Sequence, residues 1–453
     1  MLNKLLYHKK GWPPTVIHLV IGIISSGFPI IIIGWFLFVL FTSVTSLKFG
    51  STYNNKINYI YLVTYLSSME SIIRMSGAFP ILPYETGKYV LFFGFIIGIF
   101  TGMNKGNIGW MLLVLLLPAL FFDKSFEVTK GDLYFNLLGP IDICLGVIFF
   151  KGFKINKDDV FNVLKLFALP IIFCAGFALV KTPQDFGDVD FGLGANFMTS
   201  GRSGSNQVST VFGLGVFVLF IFQIKGRTFT NSRIIDFIIL LLFGFQAFLT
   251  FSRGGVFGAA LAILLLIIYE YFFLDKTEGK LLSNRLASSL MPLLFIGISF
   301  LIVDNISNGK LTLRYLGETE ATMANTKEKD INSVTSGRFN IYEEDIMLWN
   351  DNFFLGTGVA ASKNLRKESQ YVLSHVEFSR LLAEHGLLGL IFIIIILLQI
   401  ISINGQEGNY KGILMSIYLI AIYTTFHAAT RTYISPLLLG ISLITVNKSD
   451  EIN

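Results

Sequence analysis

Apolar runs of about twenty residues recur from one end of this chain to the other, and no other feature constrains its fold as strongly. Wound as a helix, a run of that length spans the hydrocarbon core of a bilayer, and a helix satisfies its own backbone hydrogen bonds there. Spans are expected at 13–26, 28–47, 57–79, 88–103, 107–122, 132–150, 160–180, 206–224, 234–251, 254–274, 288–304, 386–404, 410–427 and 433–446. Residues 12–47 read either as one long tilted helix or as a hairpin broken at Ser25–Pro29, where Gly27 and Pro29 favour the break. The expected fold is an all-α polytopic membrane protein with about 14 transmembrane helices (12–14). Only 14% of the residues are charged, against about 25% in a soluble chain. No alternating ten-residue pattern suggests a membrane β-barrel. Cys144 and Cys174 both lie inside apolar runs and read as small core residues, not as a disulfide or metal site.

Loop charges orient the spans. Lys151, Lys154 and Lys157 share one loop, Lys225, Arg227 and Arg233 a second, and Lys276, Lys280 and Arg285 a third. Alternate crossing puts all three on one side, which is therefore cytoplasmic. The acidic loop 181–204 and the polar stretch 305–386 then face outward, and Lys48 and Lys56 face inward. Lys4, Lys9 and Lys10 are also inside if residues 12–47 cross twice, with the first run kept as an uncleaved span. The net charge of +5 resides largely in such loops, so nucleic acid is not indicated as a partner. Four segments follow: a transmembrane bundle over 1–195, helices carrying arginine motifs over 196–304, a large, partly helical outer loop over 305–386 and C-terminal helices over 387–453.

Candidate chemistry collects on the outer side. Arg202 lies among Gly201, Ser203 and Gly204 where the acidic loop enters a span. Ser252 and Arg253 form a near-zero-length turn followed by Gly254 and Gly255, where backbone amides and a helix N-terminus favour an anion. Arg338 follows Ser336 and Gly337 in the polar stretch, which also holds Trp349, Gly356, Gly358, Arg366 and His375. A guanidinium fork fits phosphate oxygens. The alternative for any one arginine is snorkelling to the headgroups. A neutral imidazole such as His375 accepts a proton from a hydroxyl. Glu384 falls on the opposite helical face from His375 and is expected to brace the turn at His385–Gly386. Glu70 and Arg74, four apart, either line the same chamber or lock two helices. His427 and Arg431 show the same spacing, and Asp142 and Lys165 are candidates to pair across helices. Asp188 and Asp190 form a D-x-D that reads as a solvated loop rather than a metal motif.

The ordered set of Ser252-Arg253-Gly254, Ser336-Gly337-Arg338 with a tryptophan downstream, a Gly-x-Gly, and His375 running on to Glu384, Gly386 and Gly389 resembles the O-antigen ligase and O-antigen polymerase superfamily of bacterial membrane glycosyltransferases. The resemblance is strongest over about 200–395 and adds only a matching span count before that. Val376 stands where relatives commonly carry Asn or Thr, so no role is carried over for that neighbour. The resemblance implies a GT-C-like fold in the inner membrane with metal-independent chemistry and no cofactor. It implies a glycan donor on undecaprenyl pyrophosphate and a lipid A-core or other glycan acceptor. It casts His375 as general base and Arg253, Arg338 and Arg202 as pyrophosphate ligands; the residues themselves add Ser252, Glu70, Arg74 and Arg431 as chamber-lining candidates. Ligase, repeat-unit polymerase and protein O-oligosaccharyltransferase share this donor chemistry. A polyprenyl-linked glycan transporter is the alternative from another class.

Overall fold

A computed structural model describes residues 11–46, 52–103, 106–183, 185–273, 282–326, 328–405 and 410–447, with backbone alone for 282–287 and Asp188. Lys4, Lys9, Lys10, Lys48, Lys276 and Lys280, and the side chain of Arg285, lie outside the described residues.

The described chain is almost wholly helical. Its main helices are α1 (Pro13–Ser25), α2 (Ile30–Val44), α3 (Tyr53–Ser68), α4 (Glu70–Ser76), α5 (Thr86–Phe100), α6 (Ile108–Leu116), α7 (Lys130–Phe150), α8 (Lys157–Lys181), α9 (Ser205–Ile224), α10 (Arg233–Leu249), α11 (Arg253–Ile268) and α12 (Leu282–Ile306). The polar stretch adds α13 (Lys310–Tyr315), α14 (Glu320–Met323), α15 (Ile331–Thr335), α16 (Arg338–Asp351) and α17 (Ser362–Leu365). The chain ends with α18 (Glu377–Leu398), α19 (Ile400–Asn404), α20 (Lys411–Ala428) and α21 (Ile434–Ser442).

Among the described residues, seven helices are long and apolar enough to cross a membrane, and four shorter apolar ones accompany them. Some of the expected apolar runs do not form one unbroken helix. Residues 57–79 break at Met69 into α3 and α4, and 107–122 tightens into a 3₁₀ turn at Pro118–Phe121. The hairpin break expected near Gly27 separates α1 from α2. Helix ends follow local chemistry. Thr129 and Asp132 form a reciprocal capping box at the start of α7. Asp158 and Asp159 sit in the first turn of α8 and Lys181 in its last, complementing the helix dipole.

The chain divides into two compact units, one of Met1–Gly87, Ile155–Thr326 and Asn447–Asn453, the other of Lys88–Lys154 and Lys327–Val446. The polar stretch is thus shared, with 305–326 in the first unit and the remainder in the second. In the first unit α8 and α9 are the pillars: 94% of the apolar window of α9 is buried, against 22% for α12. α1 and α3 pack on α8, while α11 and α10 pack on α9. In the second unit α21 packs on α7 and α20, and α18 packs on α6 and α16. Lys165 lies in the field of Asp236 and 5.8 Å from the ring of Phe229, so its electrostatic partner in the first unit is Asp236. The Asp236 carboxylate accepts from the Phe229 and Thr230 amides and the Thr230 hydroxyl.

Candidate functional site

In the first unit the Arg202 and Arg253 motifs meet. The turn between α10 and α11 is tight, with Phe251 at a φ of 53°, and Thr250 Oγ1 accepts from the Ser252 amide at 3.1 Å. The segment leading to α9 seats on this turn. The Asn196 amide donates to the Thr250 carbonyl at 2.8 Å, Ser209 Oγ to the Ser252 carbonyl at 2.7 Å and Ser252 Oγ to Asn206 Oδ1 at 3.4 Å. Arg202 is exposed here, while Arg253 is only 8% exposed. Ser252 gives α11 no side-chain cap, as the electrostatics of an anion site would ask.

Two features of this turn differ from the sequence expectation. Arg253 Nη1 donates to the Arg314 carbonyl at 2.9 Å, and Arg314 Nε donates to the Phe251 carbonyl at 3.4 Å. The pair of arginines therefore staples α13 across the turn, with Phe191, Phe248, Phe251 and Leu311 as the apolar bed beneath. The expectation that glycines after Arg253 admit a ligand also gives way at Gly255. A Cβ there would lie 2.2 Å from the Thr210 amide nitrogen, so this glycine lets α11 cross α9 at backbone distance. Arg314 was missed because its partner lies 61 residues away and carries no local pattern.

Glu70 and Arg74 form the expected i,i+4 ion pair at 2.8 Å, with Glu70 fully buried. Arg74 Nε also donates to the Tyr84 carbonyl at 2.7 Å, and Gly87 leaves room for the Glu70 side chain. These contacts tie α4 to the segment leading into α5, the locking alternative for the pair. Asp190 is exposed near Lys310, at 3.9 Å, as a solvated loop residue.

The second unit holds Arg338, His375 and Arg431. Arg338 opens α16 behind Ser336 and Gly337, both left-handed. Thr335 Oγ1 and Asn332 Oδ1 accept from the Phe339 and Asn340 amides, each at 3.3 Å, so this helix start has side-chain partners for its amides. His375 is half-buried, and its Nδ1 is buried without a hydrogen-bond partner. Arg431 donates to the Ser374 carbonyl at 2.6 Å, which fixes its guanidinium one residue from His375. Burial first, then the positive charges of Arg431 and Arg338, push the imidazole down to about 3 from its ordinary 6.5. His375 is therefore neutral across the physiological range.

Arg431 does not share a helix with His427 as their spacing suggests. α20 ends at Ala428, and Ala429 adopts a φ of 54° that turns the chain. The two residues still converge on His375 from opposite sides of this turn. The Thr430 amide donates to Glu377 at 3.3 Å, and Phe426 and Phe378 pack at 6.3 Å.

A dense polar scaffold holds this arrangement. Arg366 and Asp345, both fully buried in their side chains, pair at 2.8 Å. Asp345 also accepts from Ser379 at 2.7 Å, and Arg366 donates to the Val372 carbonyl at 2.8 Å, so the loop carrying His375 is anchored at both ends. Glu344 collects the amides of Lys367, Glu368 and Ser369. Arg380 bridges Glu377 and Glu384 and reaches Asn136 of α7 at 3.0 Å. Glu384 also accepts from Ser362 at 2.8 Å, the bracing role expected for it. Gly386, at a φ of 60° and ψ of −136°, breaks α18. A Cβ on it would meet the Gly356 amide nitrogen at 2.6 Å, and Thr357 and Gly358 donate their amides to the carbonyls of Ala383 and Glu384. The Gly-x-Gly thus seats this break, with its amides donating to carbonyls of the protein.

The site residues accordingly fall into two sets: Arg202, Ser252 and Arg253 gather in the first unit, and Arg338, His375 and Arg431 in the second, with Glu70–Arg74 in a lock of its own. Arg380 was legible as a partner of Glu377 and Glu384 by its i,i+3 and i,i+4 spacing. Asp345 was not, because its partner lies 21 residues along. Compared with known families, residues 237–394 match the O-antigen ligase family. Searches of curated proteins and of solved structures gave no match.

Proposed function

We propose that this chain, whose residues 237–394 match the O-antigen ligase family, transfers a glycan en bloc from undecaprenyl pyrophosphate to an acceptor hydroxyl on the periplasmic side of the inner membrane. The acceptor oxygen attacks the anomeric carbon of the reducing-end sugar. The bond from that carbon to the diphosphate oxygen breaks, and undecaprenyl pyrophosphate leaves with the electron pair. His375 takes the acceptor proton. Arg338, Arg253 and Arg202 are assigned to the pyrophosphate oxygens, whose charge grows in the transition state. Ser252 and Arg431 are assigned to the walls, and Glu70 and Arg74 to the lock between α4 and the segment after it. No metal is assigned a role. The observation that carries this reading is the neutral His375 held beside two arginines: a base for a hydroxyl within the field that a departing diphosphate requires.

The same field sets the pH dependence. A bound diphosphate offsets the charges of Arg431 and Arg338, so His375 should rise from about 3 toward its ordinary 6.5 when the donor binds. Because kcat/KM reports the free enzyme and kcat the loaded one, the acid limb of kcat should lie at higher pH than that of kcat/KM. Coincident limbs would remove His375 as the titrating base.

Arg253→Lys keeps the charge and loses the fork. Transfer should fall about 10–100-fold while the melting temperature in detergent changes by a few degrees. Parallel loss of activity and folding would leave Arg253 as a staple to Arg314 and nothing more.

Acceptor identity is read from a deletion strain whose surface glycans are displayed by size. Loss of polymer from lipid A-core with carrier-linked polymer accumulating identifies a ligase. A single repeat on core identifies a polymerase, and loss of glycan from secreted proteins identifies a protein O-oligosaccharyltransferase. Carrier-linked glycan confined to the cytoplasmic leaflet identifies the transporter and ends the proposal.

A further inference from the structure

Residues 119–126 and 352–359 of the second unit come together as one ledge. The Val359 amide donates to the Ala119 carbonyl at 3.2 Å, the Lys124 amide to the Thr357 carbonyl at 3.0 Å, and Lys124 Nζ to Asn352 Oδ1. A Cβ on Gly358 would lie 2.2 Å from the Phe122 carbonyl oxygen, so the two segments meet backbone to backbone. The Leu387 amide donates to the Phe353 carbonyl at 2.7 Å, which ties the ledge to the break in α18. What the ledge presents is apolar. Phe121 is 85% exposed, Phe126 92% and Phe354 72%, with Phe353 and Leu355 exposed beside the last. Phe126 is not a loose tip. It holds a φ of 57°, uncommon for a bulky residue. Asp123 fixes the turn around it by accepting from the Ser125 and Val128 amides at 2.8 and 3.0 Å.

Contiguous exposed apolar surface marks an interaction site, and two observations say what covers this one. The first is continuity. Trp110, Val114, Leu117 and Phe121 are all exposed and follow the i, i+4, i+7, i+11 spacing of one helical face. The exposed stripe of this apolar helix therefore runs up to the ledge and ends in its Phe121. The second is length. From Ile108 to Phe121 the helix and its 3₁₀ turn measure about 21 Å, short of the roughly 30 Å hydrocarbon core. The other end is already level with the close of α7: the Gly106 amide donates to the Ile148 carbonyl at 2.8 Å, three residues before Lys151. The shortfall thus lies at the Phe121 end, where the ledge stands. We propose that Phe121, Phe126, Phe353, Phe354 and Leu355 form an interfacial ledge that sits in the bilayer, between headgroups and acyl chains, on the side of the polar stretch. The ledge completes the apolar depth of α6 and sets the break in α18 at the membrane surface. Its partner is the lipid surface, and the inference stands apart from the reaction proposed above.

The full-length protein in phosphatidylcholine nanodiscs is given one nitroxide at a time, on Phe126→Cys or Phe354→Cys; the native Cys144 and Cys174 are buried. A label on Val114→Cys marks the face of α6, and one on Glu343→Cys, exposed on α16, marks water. Power-saturation EPR reads collisions with oxygen, which concentrates in the bilayer, and with a water-soluble nickel chelate. The ratio of oxygen to nickel collisions at 126 and 354 should lie within a few-fold of that at 114 and well above that at 343. Melting temperatures should stay within a few degrees of wild type, because both replaced side chains are exposed. Should the Phe126 variant fail to fold, the label at 354 reads the same surface. A ratio at 126 and 354 like that at 343 puts the ledge in water and overturns the proposal. Poor access of both reagents overturns it too, since protein would then cover the ledge. Dipolar broadening that disappears on dilution with unlabelled protein would identify that cover as a second copy of the chain.

Discussion

His375→Ala is expected to lower glycan transfer about 10²–10⁴-fold, the range for loss of a general base, while the protein folds and binds its donor. The geometry separates these effects. His375 Nδ1 has no hydrogen-bond partner to lose, and the loop around it is held by Arg366–Asp345 and by Ser374–Arg431 instead. Folding even carries a cost from this imidazole in acid. Its value in the fold is about 3, below the ordinary 6.5, so stability is full above 6.5 and declines as pH falls from there toward 3. The alanine variant should therefore match wild type in melting temperature at neutral pH and lose less of it on acidification. Transfer is measured with purified protein and a carrier-linked oligosaccharide. Turnover within a few-fold of wild type would remove His375 as the base.

The largest loss of stability is expected at Asp345. Removing one member of a buried ion pair leaves the other charged and unpaired, at about 3–5 kcal/mol. Arg366 would be that orphan, with a side chain as fully buried as that of Asp345. Asp345→Ala also strips Ser379 of its carboxylate acceptor at the first turn of α18, leaving it the longer bond to the Val376 carbonyl. The His375 loop should then loosen before the rest of the second unit. Limited proteolysis between 366 and 379, together with thermal unfolding in detergent, reads both effects. The double variant Asp345→Leu/Arg366→Met should recover most of the lost stability, because replacing both partners with apolar groups is often neutral or better. An Asp345→Ala protein as stable as wild type would show that the pair anchors nothing.

Much of the fold is legible in the sequence because bilayer thickness sets the length of an apolar run. The run expected at 206–224 is α9, and that at 160–180 is α8, each within a few residues. The Gly27–Pro29 break and the Glu70–Arg74 pair were likewise visible, since each is a local pattern. What escaped was set by tertiary context. Ala429 turns the chain at a positive φ without the glycine that would announce it, so Arg431 looked helical with His427. The run beginning at Gly386 was read as the start of a span, yet α18 begins at Glu377 and breaks at that glycine against Gly356. The arginine motifs were found by residue type, but their partners were not. Arg253 reaches Arg314, and Arg366 reaches Asp345, through contacts that no short window contains. Sequence reasoning therefore found the chemical groups of the candidate site more readily than the scaffold that holds them.

The proposed reaction breaks the bond between the glycan and its polyprenyl diphosphate. Purified protein reconstituted in vesicles with an undecaprenyl-pyrophosphate-linked oligosaccharide and a glycan acceptor tests it most directly, with chelator present throughout. Release of undecaprenyl pyrophosphate matched mole for mole by elongated acceptor, and absent from the His375→Ala protein, is the predicted result. Movement of the intact lipid-linked glycan between leaflets, with no release and no elongated acceptor, would contradict it.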